Sequence, residues 1–122
     1  MMTGLQMCLM AARSAGIVIV DGVYNAFKDE DGLRAECEQG LALGMDGKSL
    51  IHPAQVEISN VVFAPDAAQV ALAERQIEAY EDALARGEGV AVVDGKIVEN
   101  LHVDTARALL AKAKAVSERA TA

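Results

Sequence analysis

The sequence predicts an α/β fold: helices alternating with short, buried parallel strands, followed by a helix–hairpin–helix segment. Three observations carry this. Two brief apolar runs, Ile17–Val20 and Ser49–Ile51, are each preceded by a helical stripe that a glycine closes. Neither run alternates polar with apolar residues, as expected of strands covered on both faces. An Asp94-Gly95 dipeptide between two β-rich runs marks a hairpin with a type I′ turn.

In chain order, Leu5, Cys8, Leu9 and Ala12 recur at helical spacing, and Gly16 is a suitable stop. Ile17–Val20 is the first strand and ends in Asp21-Gly22. After an irregular stretch with Tyr24, Asn25 and Phe27, a second helix opens with Asp29 or Asp31 as N-cap. It carries Leu33, Cys37 and Leu41 on one stripe and closes at Gly44. Ser49–Ile51 is the second strand, stopped by Pro53, which cannot extend a central strand and keeps His52 out of helical geometry. Helix, strand, helix, strand with short connections predicts a parallel sheet covered by helices.

Beyond Pro53, residues 56–62 form a short helix. A long helix starts at Pro65-Asp66, where Asp66 and Gln69 have capping-box spacing. Val70, Ala73, Ile77, Tyr80 and Leu84 make its apolar stripe, while Glu74, Glu78, Glu81 and Asp82 face solvent. Gly87 and Gly89 end it. The hairpin spans Val90–Val93 and Lys96–Glu99, and a last helix aligns Val103, Ala106, Leu110 and Ala113. A two-stranded hairpin is marginal alone and must pack on its flanking helices or on another subunit. The chain therefore divides into a sheet-and-helix part, 1–62, and a helix–hairpin–helix part, 63–122.

Composition bounds the function classes. The 122 residues suit one modest domain, and 52% hydrophobic content is enough for an ordered core. With 3% aromatics, that core packs small side chains. A net charge of −7 argues against nucleic acid, whose affinity rests on Lys and Arg. No run is long enough to span a membrane. Cys8 and Cys37 lack metal-ligand spacing and read as small buried hydrophobes of a reducing, cytoplasmic setting.

Few residues could carry chemistry. Asp21 ends a buried strand, where α/β folds place their sites, and equally could cap the turn at Gly22. His52, at a strand C-terminus, suits a general base, a metal ligand or an anchored corner residue; no zinc-type cluster accompanies it. Lys48 sits in Gly47-Lys48-Ser49, but a phosphate-binding loop needs glycine where Ala42 stands, which excludes nucleotide hydrolysis on that motif. Lys48 instead suits a role stabilising the corner or the rim. Glu99, closing the hairpin, reads by itself as an edge-strand charge that discourages aggregation.

The segment from Leu43 to Gln55 reads LGxxGKxxIHPxQ. Together with Asp21-Gly22-Val23-Tyr24, Gly32-Leu33, Phe63-Ala64-Pro65 and Gly95-Lys96-Ile97-Val98-Glu99, it resembles the C-terminal part of citrate lyase beta-subunit-like and malyl-CoA lyase-like enzymes, the HpcH/HpaI aldolase superfamily. The resemblance implies the C-terminal portion of a (β/α)8 barrel, its last two strands and helices, followed by a helix–hairpin–helix lid. A whole barrel takes about 250 residues, so these residues would not close one. Also implied are a CoA thioester substrate lined by Asp21, Ile51, His52 and Pro53, and a catalytic Glu99 where the family pattern has Asp. The family's Mg2+ would be held by a Glu and an Asp of earlier strands, so no metal ligand is expected here.

On that basis the expected function is a carbon–carbon lyase acting on a β-hydroxyacyl-CoA of malyl- or citramalyl-CoA type, yielding an acyl-CoA and an oxo acid. These residues alone are expected to be inactive. Two alternatives stand beside it: a non-catalytic interaction module or split-enzyme half, and an acyl-CoA thioesterase. The expected partners are the small-molecule thioester and either a second copy, with the lid acting on the neighbouring subunit, or a complementing barrel segment. Neither nucleic acid nor membrane is expected.

Overall fold

The computed structural model describes residues 1–121. They form a mixed α/β structure of two compact units, Met1–Phe63 and the residues from Ala64 onward.

The first unit contains helix α1 (Met2–Ser14), strand β1 (Val20–Asp21), helix α2 (Glu30–Leu43), strand β2 (Gly47–Lys48), a 3-10 turn (Pro53–Gln55) and helix α3 (Val56–Phe63). Strands β1 and β2 are parallel, with Val20 opposite Gly47 and Asp21 opposite Lys48. The ladder gains one bond at each end, Asp46 N–H to Ile19 O and Ser49 N–H to Asp21 O, both 2.9 Å. The parallel pairing expected from the alternation is present, but it lies at Gly47–Lys48 rather than Ser49–Ile51. Ile51 leaves the ladder because its N–H donates to the Gln55 side chain, at 3.0 Å.

The core of this unit is Leu33, Cys37, Ile58 and Phe63, with Tyr24 and Val62 against it. Three expectations of burial fail. Ile17, Val18 and Val20 are exposed, because a two-stranded ladder this short covers neither face of the β1 run. Leu41 and Cys8 are also exposed: α2 turns Leu33, Cys37 and Gly40 inward, and α1 buries only Ala12.

Asp29 is the N-cap of α2, its carboxylate accepting from Gly32 N–H at 3.0 Å and from the Tyr24 hydroxyl at 2.7 Å. Gly32 is glycine for steric reasons. A Cβ there would lie 2.0 Å from the Tyr24 hydroxyl and 2.3 Å from the Asp29 carboxylate. Gly32 N–H and then the Tyr24 hydroxyl hold the Asp29 carboxyl below its usual range, and the same bond raises the Tyr24 hydroxyl. A lowered carboxyl stabilises the fold above its unfolded pKa, and that stability is lost as pH falls through the folded value. A raised phenol contributes below its unfolded pKa, and that contribution is lost as pH rises through the folded value. Asp29→Asn keeps an acceptor at the cap but cannot titrate. Its thermal midpoint is expected to depend less on pH than the parent's across the acid range; identical acid slopes would refute the assignment.

The second unit contains helix α4 (Ala67–Ala85), strands β3 (Ala91–Val93) and β4 (Lys96–Val98), and helix α5 (Asn100–Ala120). The Asp66–Gln69 capping box is present. The hairpin pairs Ala91 with Val98 and Val93 with Lys96. Its turn places Asp94 and Gly95 at φ 51° and 75°, the left-handed pair that a type I′ turn requires. Arg75 of α4 holds Asp94 with two hydrogen bonds of 2.8 and 3.0 Å. Tyr80, Ala83, Ala91, Val98 and Val103 form the core of this unit. The α4 stripe drifts at its end, so Ala83 is buried and Leu84 exposed. Among the described residues, no helix is long and apolar enough to cross a membrane.

Candidate functional site

The loops leaving β1 and β2 carry most of the residues singled out in the sequence. Asp21 ends β1, and its carboxylate is fully engaged: Oδ1 accepts from Gly22 N–H at 2.9 Å and Oδ2 from Lys48 Nζ at 3.0 Å. The Lys48 side chain has 0% exposure. Its ammonium also donates to Gly22 O at 2.8 Å and to the Glu36 carboxylate. All three donors of a lysine ammonium are thereby used. Burial works against the charged form, but Glu36 and Asp21 outweigh it and hold the ammonium above its usual pKa. Lys48, expected to stabilise the corner or the rim, is an internal cation that ties α2, the Asp21-Gly22 turn and β2 together.

Magnesium takes oxygen ligands in octahedral geometry. Among the described residues no group of three or more His, Cys, Asp or Glu side chains converges on one point. The Asp21 and Glu36 carboxylates, which do approach each other, already share the Lys48 ammonium. These residues by themselves do not fit a magnesium ion.

The Ile51-His52-Pro53 corner is solvent-exposed and is held from beneath by Gln55, which has 0% exposure. Gln55 Oε1 accepts from Ile51 N–H, and Nε2 donates to Tyr24 O at 2.8 Å. One buried amide thus pins the loop after β2 to the loop after β1. Gln55 stands in the sequence motif, where the available signal for its role is a polar side chain two residues after the His52-Pro53 corner. Gln55→Leu leaves the part-buried Ile51 N–H and Tyr24 carbonyl without their partners. At roughly 1–3 kcal/mol per orphaned group, the expected loss is about 2–4 kcal/mol in urea unfolding. A change under about 0.5 kcal/mol would mean that water takes over both bonds.

His52 caps the 3-10 turn, its Nδ1 accepting from Ala54 N–H at 3.1 Å. Its ring stacks on Phe27, with centroids 4.4 Å apart and planes 16° from parallel. Lys28 Nζ lies 5.9 Å from the Phe27 centroid. Asn25, Ala26, Phe27, Lys28 and Asp29 line an open depression of about 400 Å³. The structure therefore brings His52 to the aromatic and cationic loop after β1. Phe27 and Lys28 carried no signal in the sequence beyond an irregular stretch.

Glu99, in the second unit, follows β4 directly and is the N-cap of α5. Its N–H donates to His102 Nδ1 at 3.0 Å, which fixes the backbone at this junction while the residue stays exposed.

The mixed α/β structure resembles that of citrate lyase-like proteins. The chain aligns with CitE from Mycobacterium tuberculosis, solved with magnesium, acetoacetate and coenzyme A, at TM-score 0.68 and 27% identity, over 90% of this chain and 40% of that one. Residues 1–53 match the HpcH/HpaI aldolase/citrate lyase family, and the chain is homologous to malyl-CoA enzymes related to it. It is 68% identical over 115 residues to a (3S)-malyl-CoA thioesterase of Cereibacter sphaeroides, 94% of this chain and 40% of the relative. Against an L-malyl-CoA/beta-methylmalyl-CoA lyase of the same organism, identity is 40% over 107 residues, 88% of this chain and 34% of the relative. The chain thus spans about two fifths of the length of the thioesterase it matches.

These similarities correct the carbon–carbon lyase expectation. The much higher identity is to relatives named as thioesterases, not lyases. Glu99, where the lyase-like pattern has Asp, is a departure from that pattern legible in the sequence.

Proposed function

We propose that this chain is part of an enzyme that hydrolyses a malyl-CoA-type thioester to the free acid and CoA. The observation that carries it is the 68% identity to a (3S)-malyl-CoA thioesterase over nearly the whole chain. In this proposal the first unit supplies the last two strands of a barrel and the second unit a lid. The lid acts on a neighbouring copy, in a reducing, cytoplasmic setting. These residues alone are expected to turn nothing over.

Hydrolysis adds water across the C–S bond. The water oxygen bonds to the thioester carbonyl carbon, one water proton leaves to a base, and the CoA sulfur departs and takes up a proton. Glu99 has the chemistry for both transfers: a carboxylate accepts the proton from water and returns it to sulfur. Its place at a strand–helix junction supports this role: the residue is exposed, and its carboxylate, engaged in a capping box with His102, would have to leave the cap to reach a substrate. The corner Ile51, His52, Pro53 and the Asp21 turn line the CoA thioester, with Asp21 acting through the shape of its turn. Incubating the assembled enzyme with malyl-CoA and following free thiol against oxo acid tests the reaction class. Thiol release without oxo acid is expected; oxo acid without thiol would refute hydrolysis.

A further inference from the structure

The Ile51-His52-Pro53 corner does more than shape a wall. His52 Nδ1 is occupied as the acceptor for Ala54 N–H. A neutral imidazole that accepts at Nδ1 carries its hydrogen on Nε2. Gln55 fixes the backbone on one side through Ile51 N–H, and Pro53 sets it on the other. The Phe27 stack holds the ring plane. Among the described residues Nε2 has no hydrogen-bond partner, and the residue is exposed.

We propose that His52 is locked as a hydrogen-bond donor, presenting Nε2–H to an acceptor atom of the bound CoA thioester, with Nδ1 held as the acceptor of the Ala54 cap and the ring plane held by the Phe27 stack. The inference rests on the thioester reading for its ligand, but the tautomer rests on the cap and the stack alone. The acceptor belongs either to the nucleotide end or to the acyl–pantetheine end of the thioester.

Nitrogen NMR of the neutral imidazole reads the tautomer directly in the intact chain: an unprotonated Nδ1 and a protonated Nε2 are expected. Binding is then measured with adenosine 3′,5′-bisphosphate and, separately, with the N-acetylcysteamine thioester of malate, which lacks the nucleotide. His52→Asn retains an acceptor at the Nδ1 position but removes the outward N–H. His52→Gln places an amide N–H near the Nε2 position. The probe that meets His52 is expected to bind about tenfold more weakly to the Asn variant, the scale of one lost hydrogen bond. The Gln variant should stay within about threefold of the parent. Protonated Nδ1, or unchanged binding of both probes to the Asn variant, would overturn the proposal. Failure of hydrolysis with retained, His52-dependent binding would instead refute only the reaction class.

Discussion

Lys48→Met is expected to destabilise the first unit by about 3–5 kcal/mol, the scale for removing one partner of a buried ion pair. Methionine fills a similar volume, so the loss reports charge rather than a cavity. Without the ammonium, Asp21 and Glu36 face each other uncompensated, and Gly22 O loses its donor. Because Glu36 is about one third exposed, with a side-chain value of 35%, solvent relieves part of its share and the lower end of that range is the better expectation. Adding Asp21→Asn and Glu36→Gln to Lys48→Met should recover part of the loss. The sign in pH follows from the raised ammonium pKa. The contribution is whole below the unfolded lysine value and is lost as pH rises through the folded one. Urea unfolding at neutral and strongly alkaline pH checks this. A gap between parent and variant that stays constant into the alkaline range would contradict the network.

Glu99→Gln should lower turnover of malyl-CoA by about a hundredfold or more in the assembled enzyme, the usual range for a general acid–base group. The amide keeps the size of the side chain and cannot carry a proton. Thioester affinity should change little. Glu99→Asp is the informative companion: it withdraws the carboxylate by one methylene, and hydrolysis should fall with the fold intact. Unchanged hydrolysis by the Gln variant would reduce Glu99 to an exposed charge at the end of a hairpin.

How far the sequence carries this molecule is clear from particular residues. Local signals were legible: the Asp66–Gln69 box, the Asp94-Gly95 turn, the Gly44 stop and the helical stripe through Val103 and Ala106 all rest on interactions within a few residues. The strand register was not legible, because it depends on where Ile51 N–H goes, and that is decided by a Gln55 amide that also binds Tyr24 O. The roles of Lys48 and Phe27 were hidden for the same reason. Their partners are separated along the chain, Lys48 from Asp21 and Glu36, Phe27 from His52. Ile17, Val18 and Val20 are exposed where the sequence predicts burial, because an apolar run states what could be covered, not what covers it. Among the candidate site residues, position at a strand end singled out Asp21 and His52. It did not reveal that Asp21 is tied up by a lysine or that His52 is capped on one nitrogen.

The most direct test of the central claim is isotopic. Malyl-CoA is turned over by the assembled enzyme in water enriched in oxygen-18, and the products are weighed by mass spectrometry. Hydrolysis at the thioester carbonyl is expected to place one heavy oxygen in the released carboxylate, with free CoA formed in equal amount. Acyl-CoA and oxo acid formed without label in the acyl group, and without free CoA, would contradict it.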